Sequence, residues 1–185
     1  MPSVRGMTFA GSVEYVRKSF GEEGLKKVLD SLPEEDKKIA GEKFHTMEWY
    51  SESIFANFLS SADKILGKGG HQICYQAGKM SAAEAFGGIY KLFLEFGGPN
   101  IFLKKAALAW RALNDTGYLE IEVSRENYVL GMIKEYENPH KCLCWHLVGY
   151  FEKVLELSGG KNVKAKETKC RCAGDDACQY ETTWE

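Results

Sequence analysis

YLEIEVSRENYVLGMIKEYEN, residues 118–138, is where the chain changes its periodicity. Leu119, Ile121 and Val123 alternate with Glu120 and Glu122, a repeat of two that belongs to a strand with one apolar face. ENYVLGMIKEYEN (126–138) reads as a second strand, and the short link between the two predicts a hairpin. Beyond it, WHLVGYFEKVLELSGG (145–160) returns to helical spacing and ends on a glycine pair. KNVKAKETKCRC (161–172) and ACQYETTWE (177–185) predict a second hairpin, turned by AGDD. The carboxy-terminal part of the chain is therefore expected to be β-β-α-β-β.

Upstream of Gly117 the repeat is helical. GSVEYVRKSF (11–20) sets Val13, Val16 and Phe20 on one face, and GEEGLKKVLDSL (21–32) continues with Leu25, Val28, Leu29 and Leu32. Pro33 followed by Glu34, Glu35 and Asp36 opens another helix, with acids near its positive end. SESIFANFLSSADKIL (51–66), HQICYQAGKMSAAEAF (71–86), GIYKLFLEF (88–96) and a helix from Pro99 to about 114 follow. The fold class expected is α+β, N-terminal helices followed by a β-β-α-β-β antiparallel sheet unit. We read residues 1–185 as a single domain, with 1–48 an accessory helical segment and 49–185 the core.

A chain of 185 residues with 44% hydrophobic and 27% charged residues is long enough for one real core. A net charge of -2 gives no reason to expect nucleic acid or an anionic membrane as partner. No apolar run approaches the roughly 18 residues of a membrane span, and the start carries no signal-peptide pattern. We expect a cytoplasmic protein, in which six cysteines are thiols or metal ligands rather than disulfides.

Three of the six cysteines fall within KETKCRCAGDDACQY (166–180). Zinc takes four ligands in a tetrahedron, thiolate sulfur or imidazole nitrogen and sometimes carboxylate. Cys144 begins a helix, Glu167 and Cys170 lie on the following strand, and Cys178 lies just past the AGDD turn, so the chain can bring the four together. One feature opposes this set. Residues three apart on a regular strand face opposite ways, so Glu167 can join Cys170 only through a bulge or an irregular strand end. Cys172, Cys142, His140 and His146 remain rivals, and Cys74 is explained by packing as a small apolar group. The chain has no Gly-x-Ser-x-Gly, no P-loop and no dinucleotide glycine fingerprint.

CWHLVGY (144–150), KETKC (166–170) and GDDACQY (174–180) resemble the carboxy-terminal part of the V4R (4-vinyl reductase) domain, which also serves as the sensory module of phenol-responsive transcription activators. VRKSFGEEGLKKVLDSLPEED (16–36), EWY (48–50) and IYKLFLEFGGPN (89–100) are similar to a myxobacterial-type, delta-proteobacterial branch of that family. The wider fold group contains ligand-binding domains of nitric oxide signalling and Golgi transport, and its members often dimerise. The resemblance implies a structural Zn2+ held by Cys144, Glu167, Cys170 and Cys178, with Cys142 and Cys172 as non-ligands near the metal, facing solvent. It also implies a homodimer and a small hydrophobic or aromatic ligand enclosed between helices and sheet.

Phe86, Tyr90, Phe93, Trp110, Ile121, Val123, Tyr128, Val148 and Phe151 are the side chains suited to wall such a pocket. The phenol sensors hold the ligand hydroxyl with a histidine before the sheet and a tryptophan near the first hairpin. Here no histidine lies between 86 and 112 and the 118–124 strand has no tryptophan, so the architecture carries over and phenol as ligand does not. The function expected is a non-catalytic, zinc-stabilised sensor or carrier domain for an apolar or aromatic molecule. The alternatives are a tetrapyrrole-pathway reductase or its accessory, for which no cofactor fingerprint is present, and a dimeric adaptor. With no ATPase or DNA-binding segment in the sequence, output is expected through a partner, a dimer rearrangement or delivery of a cargo.

Overall fold

The computed structural model describes residues 1–86 and 98–185. The helix expected over 88–96 lies outside the described residues. A strand β1 (Ser3–Arg5) leads into α1 (Gly6–Asp30), α2 (Glu34–Gly41), a strand β2 (Trp49–Ser51), α3 (Glu52–Leu66) and α4 (Gln72–Ala85). After the gap come α5 (Gly98–Leu103), α6 (Ala106–Leu113), β3 (Tyr118–Arg125), β4 (Tyr128–Lys134), α7 (Lys141–Leu157), β5 (Lys164–Lys169) and β6 (Ala177–Thr183). The α+β architecture is thus as the periodicity indicates.

Three boundaries differ from the expectation. The two helices read over 11–32 form one element, α1, which begins at Gly6 and breaks at Gly21, where φ is 71°. The helix expected from Pro99 to 114 is divided into α5 and α6 by a turn at Lys104–Lys105. The antiparallel pair β1–β2, with Val4 opposite Tyr50, is too short to carry a visible period.

The second sheet is antiparallel throughout, in the order β3-β4-β6-β5. Val129 and Ile133 on β4 and Cys178, Tyr180 and Thr182 on β6 are buried, alternating with more exposed neighbours, as a sheet with one covered face requires. The helices supply the cover. Phe9, Val16 and Val28 of α1 and Phe55, Phe58 and Leu59 of α3 belong to the same buried cluster as Ile133, Cys144 and Tyr180. The segment read as accessory therefore contributes to the cluster that backs the sheet.

The crossing of α4 on α7 is unusually close. A Cβ on Gly149 would stand 1.9 Å from the Tyr75 carbonyl oxygen, and one on Gly78 would stand 1.9 Å from that of His146. Only glycine allows the backbones this approach. A polar clamp locks the same crossing. Glu152 on α7 accepts from the Tyr75 hydroxyl, from Lys79 Nζ at 2.8 Å and from the Ala165 amide at 3.1 Å. One carboxylate thereby joins α4, α7 and β5.

Candidate functional site

The first turn of α7 and the β5–β6 hairpin meet at a cluster of sulfur. Cys144 Sγ, Cys170 Sγ, Cys178 Sγ and a Glu167 carboxylate oxygen all lie within 4.8 Å of one another. Cys144 and Cys170 are 3.7 Å apart, Sγ to Sγ. Sulfurs at about 2.3 Å from a tetrahedral zinc would be about 3.8 Å apart.

Strand parity is overcome by a bulge. Glu167 pairs with Tyr180, whereas Lys169 pairs with Gln179, so β5 carries one extra residue between them. Cys170 then faces the same side as Glu167. The turn that follows is tight. The Cys170 amide donates to Asp175 Oδ2 at 2.8 Å, the Arg171 amide donates to Cys178 Sγ at 3.4 Å, and Gly174 takes a φ of 97°.

Glu167 supplies the observation most telling for a metal. Its Oε2 accepts from Lys141 Nζ at 2.8 Å, while its Oε1 is buried with no partner. A buried carboxylate oxygen without a donor costs free energy unless something positive completes it. Cys144 and Cys178 are fully buried and Cys170 nearly so. Cys178 beside it, and then burial, push the Cys144 thiol well up. The Cys178 thiol is lowered to about 7, chiefly because the Cys144 thiol lies beside it. Burial raises the Cys170 thiol to about 11. Three thiols and a carboxylate, closed to solvent at the start of a helix, suit a d10 dication such as zinc and leave no open coordination position.

Cys172 aside, the rival ligands lie elsewhere. Cys172 is exposed, although its Sγ is 4.0 Å from that of Cys144. The Nδ1 of His140 accepts the Cys142 amide at 3.2 Å and so caps α7. His146 points away from the sulfur cluster, its Nε2 3.1 Å from Ser81 Oγ, and burial lowers its imidazole to about 3, leaving it neutral. Cys142 does not face solvent as expected. It is buried beside Cys74, because it stands two residues from Cys144 on a helix and is therefore turned about 200° away from it.

Between α7, α6 and the sheet lies a largely apolar cavity of about 80 Å³. A water needs only about 10–15 Å³ measured in this way. Phe86, Trp110, Ile121 and Phe151, four of the side chains proposed from sequence, line it. The others do not. Val123 is 51% exposed, close to the tip of the β3–β4 hairpin where the register shifts between Glu122 and Arg125. Tyr128 and Val148 line a separate outer groove beside Glu152, Lys164 and Glu181. Tyr90 and Phe93 lie outside the described residues.

Sequence periodicity missed the cavity's polar members. Thr8 Oγ1, Tyr150 Oη and Tyr180 Oη line it or point from residues that do, and all three are buried without a hydrogen-bond partner. Burial holds both tyrosines as neutral phenols. By contrast Trp110 Nε1 is satisfied by the carbonyls of Thr116 and Gly117. Apolar walls with unfulfilled hydroxyls match a site that orients a small ligand by one or two polar contacts. In sequence the signal was available only as tyrosines at positions 150 and 180, indistinguishable from core aromatics.

Residues 132–183 match the family model of the V4R domain. No curated protein matches the chain in sequence. Among solved structures, the chain is similar to an H-NOX protein from S. oneidensis in the Fe(II)NO ligation state, with a TM-score of 0.72 and 12% identity over 98% of this chain and 99% of that one. It is also similar to an unliganded Fe(II) H-NOX protein from K. algicida, with a TM-score of 0.68 and 12% identity over 98% and 96%. A third, a structure concerned with haem redox potential and porphyrin distortion, gives a TM-score of 0.69 and 11% identity over 97% and 99%. At these identities the likeness is one of fold.

Proposed function

We propose that this chain, whose residues 132–183 match the V4R domain and whose fold is that of H-NOX domains, is a non-catalytic sensor or carrier that encloses a small aromatic molecule in a cavity pinned by zinc. The observation that carries the reading is the juxtaposition on β6. Cys178 belongs to the four-ligand cluster, and two residues on, Tyr180 lines the cavity with an unpartnered hydroxyl. Glu167, the carboxylate of the cluster, is also the register partner of Tyr180. A zinc bound by Cys144, Glu167, Cys170 and Cys178 would fix the cavity wall as well as the hairpin. The dication would supply charge compensation and rigidity, and a closed set of four ligands gives it no catalytic position.

Among the described residues the cavity offers haem no free imidazole, since Nε2 of the lining His146 is 3.1 Å from Ser81 Oγ. A cavity of about 80 Å³ favours a small ligand over a tetrapyrrole, whether cofactor or substrate. A one-ring ligand with a hydroxyl or comparable acceptor suits both the volume and the two phenols. Reduced thiols in a closed cluster are in keeping with a cytoplasmic setting, and no helix among the described residues is long and apolar enough to cross a membrane.

The test uses 4-fluorophenol and fluorobenzene as probes, read by fluorine NMR with the zinc-loaded protein. Both should broaden, the phenol binding more tightly. Ala106→Leu, which fills a buried position on the cavity wall, should abolish both effects while the protein stays folded. Equal binding by wild type and Ala106→Leu would place the probes elsewhere and remove the reading.

A further inference from the structure

A second group of metal-ligating atoms lies on the opposite side of α7 from the carboxy-terminal cluster. His71 Nδ1, Cys74 Sγ and Cys142 Sγ are all within 4.8 Å of one another. The Cys142 sulfur is 4.0 Å from His71 Nδ1. His71 and Cys74, three residues apart at the start of α4, share a helix face, and the close α4–α7 crossing at Gly78 and Gly149 brings them to Cys142. A fourth group stands alongside. Asp63 on α3 has a side chain only 3% exposed, with Oδ2 3.4 Å from His71 Nδ1. Its Oδ2 accepts the His71 amide at 3.0 Å, and its Oδ1 is buried with no partner.

We propose that His71, Cys74 and Cys142, with the carboxylate of Asp63 beside them, form a second metal site for a thiophilic divalent ion, zinc foremost. Packing alone accounts for two buried thiols, but not for a buried carboxylate that turns Oδ2 to the imidazole and leaves Oδ1 without a partner. Thiolate and imidazole ligands select zinc over the hard cations that oxygen sites prefer. Binding is a ligand exchange in which Cys74 and Cys142 release their thiol protons to solvent and the sulfurs bond to the metal, with no change of oxidation state. The site differs in kind from the closed cluster. The His71 side chain is 31% exposed and follows the Gly67–Gly70 stretch, so the ion has a route in and out. His71 itself takes a left-handed backbone, φ 60°, as the residue preceding α4. The second ion would tie α3, α4 and α7 together independently of the ligand cavity.

The experiment counts zinc on the full chain by native mass spectrometry, after loading reduced apo-protein with zinc chloride. Two equivalents are expected for wild type, and one for His71→Ala and for Cys142→Ser. The partly exposed position of His71 makes its variant the safer one to fold, and a melting curve checks both. The equivalent that His71→Ala removes should leave to EDTA at least about tenfold faster than the other, in proportion to its access to solvent. One equivalent in both wild type and His71→Ala would overturn the proposal, as would two in both. One in wild type and none in His71→Ala would support the second site and reject the carboxy-terminal one, so the two claims fail separately.

Discussion

At the scale of single residues, the site depends on Glu167 and on what holds it. Lys141 pairs with one of its oxygens and is itself 45% exposed, so it can be removed without opening the core. Three thiolates and a carboxylate around a dication leave a net negative charge, which the lysine offsets. Lys141→Ala should weaken zinc binding by about 10–100-fold while leaving saturating stoichiometry unchanged, as a competition titration would show. An unchanged affinity would mean that the lysine does not orient the ligand. The approach of Glu167 to Cys170 was only half legible in the sequence, since the bulge at Thr168 has no signature of its own. Glu52 offers a second test. It is buried and bonded to the Tyr136 hydroxyl at 2.6 Å. Burial raises its carboxyl to about 7 from an ordinary 4.5, despite that hydrogen bond. Between pH 4.5 and 7 the unfolded chain gives up a proton that the folded chain keeps. The stability this group confers is therefore full below pH 4.5 and is lost as pH rises towards 7, by about 3 kcal/mol in all. The Tm of Glu52→Gln relative to wild type should rise from pH 5 to pH 8. A flat difference would show that Glu52 ionises normally.

At the scale of elements, the decisive contact is the glycine-mediated crossing of α4 and α7. Gly149→Ala forces a methyl group to within 1.9 Å of the Tyr75 carbonyl, a backbone atom that cannot turn aside. We expect a loss of about 3–5 kcal/mol, and a Tm lower by roughly 10 °C, on thermal denaturation. A loss below about 1 kcal/mol would mean that the helices part easily. The strands of the large sheet were readable because alternation over Leu119, Ile121 and Val123 reports a half-buried sheet directly. It could not report that Val123, beside the register shift near the hairpin tip, is exposed, since periodicity carries no information about where a hairpin leaves its cover. Nor could it find β1 and β2, three residues each, or the turn that splits α5 from α6 within a continuous helical pattern. Cys74 and Cys142 were separately visible, but their meeting depends on the crossing angle of two helices distant in sequence.

At the scale of the whole molecule, the ligand cluster, the β5–β6 hairpin and the cavity adjoin one another through β6, where Cys178 belongs to the cluster and Tyr180 lines the cavity. The sheet has β5 at its edge, where, among the described residues, pairing with β6 and contacts from α7 hold it. Stripping zinc should therefore release the β5–β6 hairpin first. Amide exchange over 164–183 should accelerate at least about tenfold, while α1 and α3, which contribute no ligand to that cluster, stay protected. Uniform acceleration across the chain would contradict a local role. The resemblance read from CWHLVGY, KETKC and GDDACQY agrees with the V4R match over 132–183, and the likeness in fold to an H-NOX protein extends over 98% of the chain at 12% identity, where sequence similarity alone reveals little. The claim on which the rest stands is that Cys144, Glu167, Cys170 and Cys178 hold one zinc ion. Zinc K-edge X-ray absorption on the His71→Ala protein, in which only that cluster should bind, tests it most directly. Three sulfurs at about 2.3 Å and one oxygen near 2.0–2.2 Å are the result expected; a shell of nitrogen and oxygen alone, or no zinc at all, would contradict it.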